Sequence, residues 1–210
     1  MPRKISEYGS GFKGKMLDFG CGHKPYKSLF PNVEEYIGVD FANEGHGHNK
    51  EQIDVFYDGK SLPFPDSYFD CAICTEVLEH VPDIDESLTL LRRVLKKDAQ
   101  FIITVPFIWP EHEMPFDFRR FTTGGLIQKL EKHGFVINKT YKNGNYLSVI
   151  TELQIMFLHN LLFTKNVYLN LLINAIFVFP FTLVGIVLSA IFATKKDLYF
   201  NTIVLVSNHY

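Results

Sequence analysis

The sequence predicts an α/β protein built on a seven-stranded, mostly parallel sheet, with a hydrophobic helical insertion before the last strand. Three observations carry this expectation. Short apolar runs alternate with segments of helical periodicity, acids and glycines fall just after those runs, and charge nearly vanishes between residues 146 and 193. At 210 residues the chain has length for one sizeable core and none for a second domain of ordinary size. We expect an N-terminal extension (1–14), a core (15–145), the apolar insertion (146–194) and a last strand that completes the sheet (195–210).

Residues 15–19 form a short apolar run closed by a glycine turn, and Pro25 then suits the first position of a helix. Residues 36–40 read as a second strand ending in Asp40, residues 52–57 as a third and residues 69–75 as a fourth. Between residues 83 and 97, Ile84, Leu88, Leu91 and Leu95 recur at helical spacing. Acids lead that segment and Arg92, Arg93, Lys96 and Lys97 close it, an order that suits the helix dipole. Residues 100–105 make a fifth strand, 122–133 a helix ended by Gly134, 135–141 a sixth strand and 198–206 a seventh. Such alternation implies right-handed crossovers, helices on both sheet faces and ligands beyond the carboxyl ends of the strands. There the chain places Asp18 to Gly22 after the first strand, Asp40 after the second, Asp58 after the third, and Thr75 to His80 after the fourth.

Twenty-one basic and 23 acidic residues, scattered without long like-charge blocks, leave no electrostatic footprint for nucleic acid. Three cysteines and no signal peptide point to a reducing compartment, so the cytoplasm is expected. Cys71 and Cys74 have C-x-x-C spacing but lie on a strand, where odd separation puts them on opposite faces and argues against a metal or redox pair. His46 and His48 resemble metal ligands at first glance. With no third ligand at suitable spacing they read as part of a solvated loop over the ribose side, and no metal is assigned.

Gly20 and Gly22 let the backbone turn tightly and approach a ligand, and a helix starting near Pro25 would offer unpaired N–H groups to an anionic group. Asp40 is placed to accept from ribose hydroxyls. A dinucleotide site would need G-x-G-x-x-G, and the third glycine position is Pro25, which argues against a pyrophosphate there.

Leu17, Asp18, Phe19, Gly20, Cys21 and Gly22 form the first of four motifs. The second is Asp58 with Leu62, Pro63, Phe64 and then Ser67, Tyr68, Phe69 and Asp70. The third is Glu76, Val77, Leu78, Glu79, His80 and Val81, and the fourth is Arg93, Val94, Leu95 and Lys96. In this order they resemble the class I S-adenosylmethionine-dependent methyltransferases with their Rossmann-like sheet, specifically the branch with the ubiquinone and menaquinone biosynthesis methyltransferases, over roughly residues 15–140. The resemblance implies S-adenosylmethionine as cofactor. It implies that Asp18, Gly20 and Gly22 meet the methionine part, Asp40 the ribose, and Asp58 with Gly59 the adenine, with Cys21, Phe41 and Thr75 in the same site. Many relatives have another glycine where this chain has Lys24, so a cation rather than bare backbone is expected near the cofactor carboxylate.

A sulfonium already activates the methyl group, so the protein must hold the acceptor in line and, for a hydroxyl, remove its proton. His112, in the loop after the fifth strand, is the first candidate base. His80 is the second, although the Glu79–His80 pair reads equally as a device that positions its turn. The loop over residues 105–122 reads as an acceptor lid carrying Trp109, Glu113, Asp117 and Arg119. Its H-E-x-P-x-D-F-x-R-[FY]-T pattern is similar to relatives encoded with glycan biosynthesis genes, which implies a sugar or lipid-linked sugar acceptor. In the plainer reading Asp117 and Arg119 pair to fix the loop and Thr122 caps the next helix.

Residues 167–193 carry no charged side chain and would reach about 40 Å as a helix, enough to span a bilayer. A last strand inside the sheet requires the insertion to enter and leave on one membrane face. A hairpin, a re-entrant pair broken at Pro180 or an in-plane helix set would each do so, and Lys165, Lys195 and Lys196 suit anionic lipid. The expected location is peripheral or monotopic at the inner face of the cell membrane. The bland alternative is burial in a homodimer through 146–193 or over the acceptor cleft. Other functional readings are methylation of a quinone-like lipid and a non-catalytic scaffold subunit. Three acids at three strand ends count against the scaffold.

Overall fold

A computed structural model describes residues 1–41, 53–192 and 195–209. The strands are β1 (Gly14–Phe19), β2 (Val33–Phe41), β3 (Val55–Tyr57), β4 (Phe69–Thr75), β5 (Leu95–Pro106), β6 (Phe135–Asn143) and β7 (Asn201–Asn208), in the spatial order β3-β2-β1-β4-β5-β7-β6. β1 pairs in parallel with β2 and β4, β2 with β3, and β4 with β5. β7 runs the other way: Asn208, at its end, donates to the carbonyl of Leu95 at 2.9 Å, at the start of β5. The sheet is thus mixed and mostly parallel, and strand order reverses between β1 and β4, where α/β sheets open a crevice for ligands.

Side chains of β4 alternate between two apolar layers. Ala72 and Cys74 face Leu88 and Leu91 of helix α2 (Ile84–Val94) and Leu126 and Leu130 of helix α3 (Thr123–Lys132); we number Pro2–Tyr8 as α1. Cys71 and Ile73 lie in the other layer with Ile5, Tyr8, Phe12 and Phe30, so α1 forms part of the core. Each fully buried leucine contributes about 2 kcal/mol. Both cysteines are buried free thiols on opposite faces of β4, as odd strand spacing requires.

Two helix expectations and one strand expectation change. After β1 the chain makes only a one-turn 3-10 helix, Lys27–Leu29. Lys24 sits in the left-handed region (φ 53°) and Pro31 follows soon after, leaving no room for a second turn. The site therefore has no long helix N-terminus there. Helix α2 starts as expected, with the Asp83 carboxylate accepting from Glu86 N at 3.0 Å, but ends at Val94. Lys96 and Lys97 belong to β5, which starts at Leu95 opposite Phe69 and bulges before Gln100 meets Cys71, with Asp98 at φ 61°. β7 begins at Asn201 rather than residue 198 because Phe200 is held in the approach to the strand, its N–H donating to Asn143 O at 2.8 Å.

Residues 142–201 form a separate compact unit. It contains α4 (Tyr146–Leu162) followed by an unbroken helix Val167–Ile191, made of α5 (Val167–Ile173), a π turn (Asn174–Val178) and α6 (Phe179–Ile191). Pro180 does not break it. The π turn ahead of Pro180 widens the backbone where the missing N–H and the ring would otherwise disrupt the ladder. α4 and α6 meet as a hairpin: Asn145 Nδ2 donates to Ser189 Oγ at 2.9 Å, and Gly185 lies against Thr151, whose Oγ1 is 2.5 Å from where a Cβ would stand.

Gly20 and Gly22 both have positive φ (73° and 46°), but a Cβ on Gly20 would collide with Val77, whereas one on Gly22 would meet nothing within 4 Å. Gly20→Ala should therefore destabilise the protein by about 3 kcal/mol, the sum of left-handed strain and overpacking, and Gly22→Ala by about 1 kcal/mol. Urea denaturation checks this, and Val77→Ala should recover part of the Gly20→Ala loss; equal costs for the two glycines would refute the packing account.

Candidate functional site

At the end of β1, Asp18 is 2% exposed and its Oδ2 accepts from Tyr36 Oη at 2.5 Å. Burial pushes its carboxyl up to about 7, opposed mainly by the Tyr36 hydrogen bond. A carboxyl so placed becomes a strong partner for a cation. Tyr36 was not legible as a site residue. It sits on β2 opposite Met16, while Gly38 is opposite Asp18, and the only sequence signal is the period-two alternation of Tyr36, Gly38 and Asp40.

The glycine loop is held down from β2. Asp40 Oδ2 accepts from Gly22 N at 2.7 Å, and Asp40 Oδ1 from Phe41 N at 2.7 Å. Each oxygen keeps a lone pair for a further donor such as a ribose hydroxyl. The expectation that Lys24 serves a ligand carboxylate is not met, because Lys24 Nζ pairs with Asp54 Oδ2 at 2.5 Å. Asp54 also accepts from Gly38 N at 2.6 Å, and it is a second residue that the sequence reading missed. Cys21 is buried, with its Sγ 2.7 Å from where a Cβ on Gly38 would lie, and burial pushes its thiol up to about 12, so it is uncharged packing beside the site.

Phe41, 42% exposed, packs edge-on to Tyr57 with centroids 6.4 Å apart, and its ring lies 3.1 Å from where a Cβ on Gly59 would stand. Gly59 (φ 86°) thus leaves an exposed aromatic face beside bare backbone, which suits a flat base. Asp58 Oδ1 accepts from Lys60 N and Ser61 N at 2.9 Å each, holding the turn and keeping its carboxyl below the usual range. His46 and His48 lie outside the described residues. Thr75 ends β4 opposite Thr104, and Thr104 Oγ1 donates to Glu76 Oε1 at 2.6 Å. A buried carboxyl, open backbone at Gly22, an acid at the end of β2 and an aromatic slot together fit a cofactor with a cationic amino acid end, a ribose and a purine.

The second cluster joins the turn after β4 to the loop after β5. His80 Nε2 and His112 Nε2 are 3.2 Å apart, which brings the two predicted histidines together. His80 Nδ1 lies 2.9 Å from Phe116 O, and His112 Nδ1 lies 3.2 Å from Pro110 O and 3.3 Å from Asp117 Oδ2. Carbonyl and carboxylate oxygens only accept, so His80 carries hydrogen on Nδ1; His112 Nδ1 also lies 3.5 Å from the donor Arg120 Nη2, so either of its nitrogens can carry the proton, and the two Nε2 atoms face each other. Glu79 is 0% exposed, neither of its carboxylate oxygens has a hydrogen-bond partner, and burial pushes it up to about 8, helped by the charge of Glu76.

The loop is latched rather than loose. Phe118 N donates to Glu79 O at 3.0 Å, and Arg119 donates to the carbonyls of Leu78, Val81 and Pro82 at 3.3, 2.5 and 3.0 Å. Arg119 therefore does not pair with Asp117. The partner of Asp117 is Arg120, through Nη1 to Oδ1 at 2.5 Å and Nη2 to Oδ2 at 2.7 Å, and Asp117 Oδ2 also accepts from His112 N at 2.9 Å. Two adjacent arginines gave no sequence signal for this choice. Trp109 is exposed and its carbonyl accepts from Arg120 Nε at 3.1 Å; Glu113, at φ 56°, has Oε2 3.8 Å from His80 Nε2. Thr122 caps α3, its Oγ1 accepting from Gly125 N at 3.1 Å.

Residues 17–103 match the model of a methyltransferase domain. The uncharacterized methyltransferase YcgJ of Bacillus subtilis is 34% identical over 99 residues, covering 42% of this chain and 39% of that protein. The ubiquinone/menaquinone biosynthesis C-methyltransferase UbiE of Shewanella frigidimarina is 32% identical over 89 residues, covering 42% of this chain and 34% of the relative. The chain thus spans about a third to two-fifths of the length of these curated relatives. Among solved structures, phosphoethanolamine N-methyltransferase 2 of Haemonchus contortus, in complex with S-adenosyl-L-methionine, superposes with a TM-score of 0.58 at 14% identity, covering 98% of this chain and 51% of that one. The domain match over the glycine loop and the seven-stranded order around it agree: the chain matches a methyltransferase domain over residues 17–103 and has the fold of the class I S-adenosylmethionine-dependent methyltransferases.

Proposed function

We propose that this chain methylates a hydroxyl oxygen of a sugar or lipid-linked saccharide at the cytoplasmic face of a membrane. The observation that carries the reading is the His80–His112 pair, whose Nε2 atoms converge where the β4 turn and the β5 loop meet. S-adenosylmethionine, when bound, supplies an already activated methyl group. Asp18 would hold its cationic end, Asp40 its ribose, and Phe41 with Gly59 its base. The chain's remaining task is to orient a hydroxyl and accept its proton, which the histidine pair is built to do. Asp117 and Arg120 act as positioning residues, because they fix the backbone and ring of His112. Trp109, exposed on the outer side of the loop, would meet the acceptor, with Glu113 beside His80. A quinone-like lipid acceptor is the second reading, supported by the likeness to UbiE.

The membrane part of the reading rests on the helix Val167–Ile191, of whose most apolar window only 6% is buried. A helix that is apolar all round and exposed needs lipid or another protein surface to cover it. Its 25 residues reach about 37 Å, and the hairpin with α4 returns the chain to the side it left. A homodimer through 146–193 is the competing cover.

His112→Ala should lower turnover about 100-fold while leaving S-adenosylmethionine affinity within about twofold, read by steady-state kinetics and calorimetry; equal loss of both would sink the assignment. A second expectation concerns pH. Asp18 keeps its proton below about 7 in the empty site, so pairing with a cationic cofactor needs the ionised form that appears as pH rises through that value. Cofactor affinity should therefore weaken by up to about tenfold per pH unit below 7, and Asp18→Asn should bind weakly with no such slope. An unchanged slope in Asp18→Asn would remove Asp18 from this role. On fractionation the protein should sediment with membranes, resist high salt and be released by detergent, and recovery in the soluble fraction would reject the lipid reading.

A further inference from the structure

We propose that Glu79, His80 and His112 form a binding site for one divalent transition-metal ion. Hydrogen-bond accounting is the first argument. With hydrogen on His80 Nδ1, its Nε2 aims a lone pair at His112 Nε2 across 3.2 Å, and with hydrogen on His112 Nδ1 as well two lone pairs face each other. Two acceptors do not approach so closely without a shared positive centre between them. A bridging proton on His112 Nε2, whose Nδ1 then faces Arg120 Nη2 at 3.5 Å, would supply one, and a metal ion would supply another.

Glu79 decides between them. Its carboxylate is fully buried, both oxygens lack a hydrogen-bond partner, and Oε1 lies 3.8 Å from His80 Nε2. A bridging proton between the imidazoles would leave those buried oxygens still unpartnered, a desolvation cost with nothing to offset it. A cation at the common focus of the three groups satisfies all of them. The three ligand atoms lie within 4.8 Å of one another.

The spacing fits known metal chemistry. Two Nε2 atoms 3.2 Å apart subtend about 100° at an ion about 2.05 Å from each, close to the tetrahedral angle. Two imidazoles and a carboxylate make a donor set that suits zinc, manganese or iron(II), with a position left open for water or substrate. The outer partners match as well, because each ligating ring donates its other N–H to a carbonyl or carboxylate. His80 donates to Phe116 O, and His112 has Pro110 O and the Arg120-clamped Asp117. Among the described residues this is the group of His, Cys, Asp and Glu that converges in this way.

The consequence for transfer rests on the acceptor proposed above and takes the place of a histidine base, since both Nε2 atoms would be bound to the ion. An ion there would hold the acceptor oxygen and lower the pKa of its proton. The O–H bond breaks with its proton passing to water, the O–CH3 bond forms, the S–CH3 bond breaks, and the metal keeps its oxidation state.

The metal readout itself needs neither cofactor nor acceptor. The full chain in detergent is stripped with a chelator and dialysed to equilibrium against zinc, and bound metal is measured by elemental analysis. The wild type and His46→Ala/His48→Ala should each hold about one zinc per chain. Glu79→Gln should bind at least tenfold more weakly, and His80→Ala or His112→Ala should lose the zinc, with retained S-adenosylmethionine affinity showing that each variant folds. Cobalt(II) provides a second readout, since His and carboxylate ligation in the wild type should give visible d–d absorption that His80→Ala abolishes. No zinc on the wild type, equal zinc on His80→Ala, or loss of zinc in His46→Ala/His48→Ala would overturn the inference. Absence of S-adenosylmethionine binding by a zinc-loaded wild type would instead count against the methyltransferase reading alone.

Discussion

The burial of the Asp18 carboxyl at the end of the central strand is the constraint around which the cofactor side is arranged. β1 lies between β2 and β4, so both of its edges are paired, and with Asp18 only 2% exposed water scarcely solvates the acid. One short hydrogen bond from Tyr36 offsets part of that cost, and the rest appears as a raised pKa. The glycine loop must then cross directly over Val77, which only Gly20 allows. Asp40 fixes Gly22, and the Lys24–Asp54 pair fixes the loop against Gly38. The result is a fixed set of strand ends and glycine backbone around a buried acid in want of a positive charge.

The acceptor side is held by a different device. Backbone carbonyls of the turn after β4 and of the loop after β5 are tied together by Arg119, His80 and Phe118, so the two segments form one body without a regular element between them. Carbonyls in irregular segments must find donors, and a guanidinium supplies several in a fixed fork. Arg120 performs the same service for Asp117, whose carboxyl is held far below the usual range. Each histidine is thereby fixed through its Nδ1, which leaves both Nε2 atoms for chemistry.

The helical unit obeys another rule. Apolar side chains surround the helix Val167–Ile191, among them Phe177, Phe179, Val184, Ile186 and Ile191, all exposed. Small and polar residues help join α4 to α6, Thr151 with Gly185 and Asn145 with Ser189. Close approach at Gly185 resembles the small-residue contacts that hold apolar helices together where the hydrophobic effect does not.

Much of the fold was legible because it rests on short-range periodicity. β4 at residues 69–75, the Asp83 start of α2 and the Thr122 cap of α3 follow from alternation and capping that a linear chain displays. The motif residues Asp18, Gly20, Gly22 and Asp40 were equally visible, since turns and strand ends leave local signatures. What tertiary structure alone decided was partnership. Tyr36 meets Asp18 across a register between distant segments, and Lys24 goes to Asp54 rather than to open space. Arg120 rather than Arg119 takes Asp117, Glu79 is sealed without a partner, and His80 meets His112 across 32 positions. These choices depend on long-range register and on which side chain desolvation leaves unpaired, quantities that exist only once the chain has closed on itself.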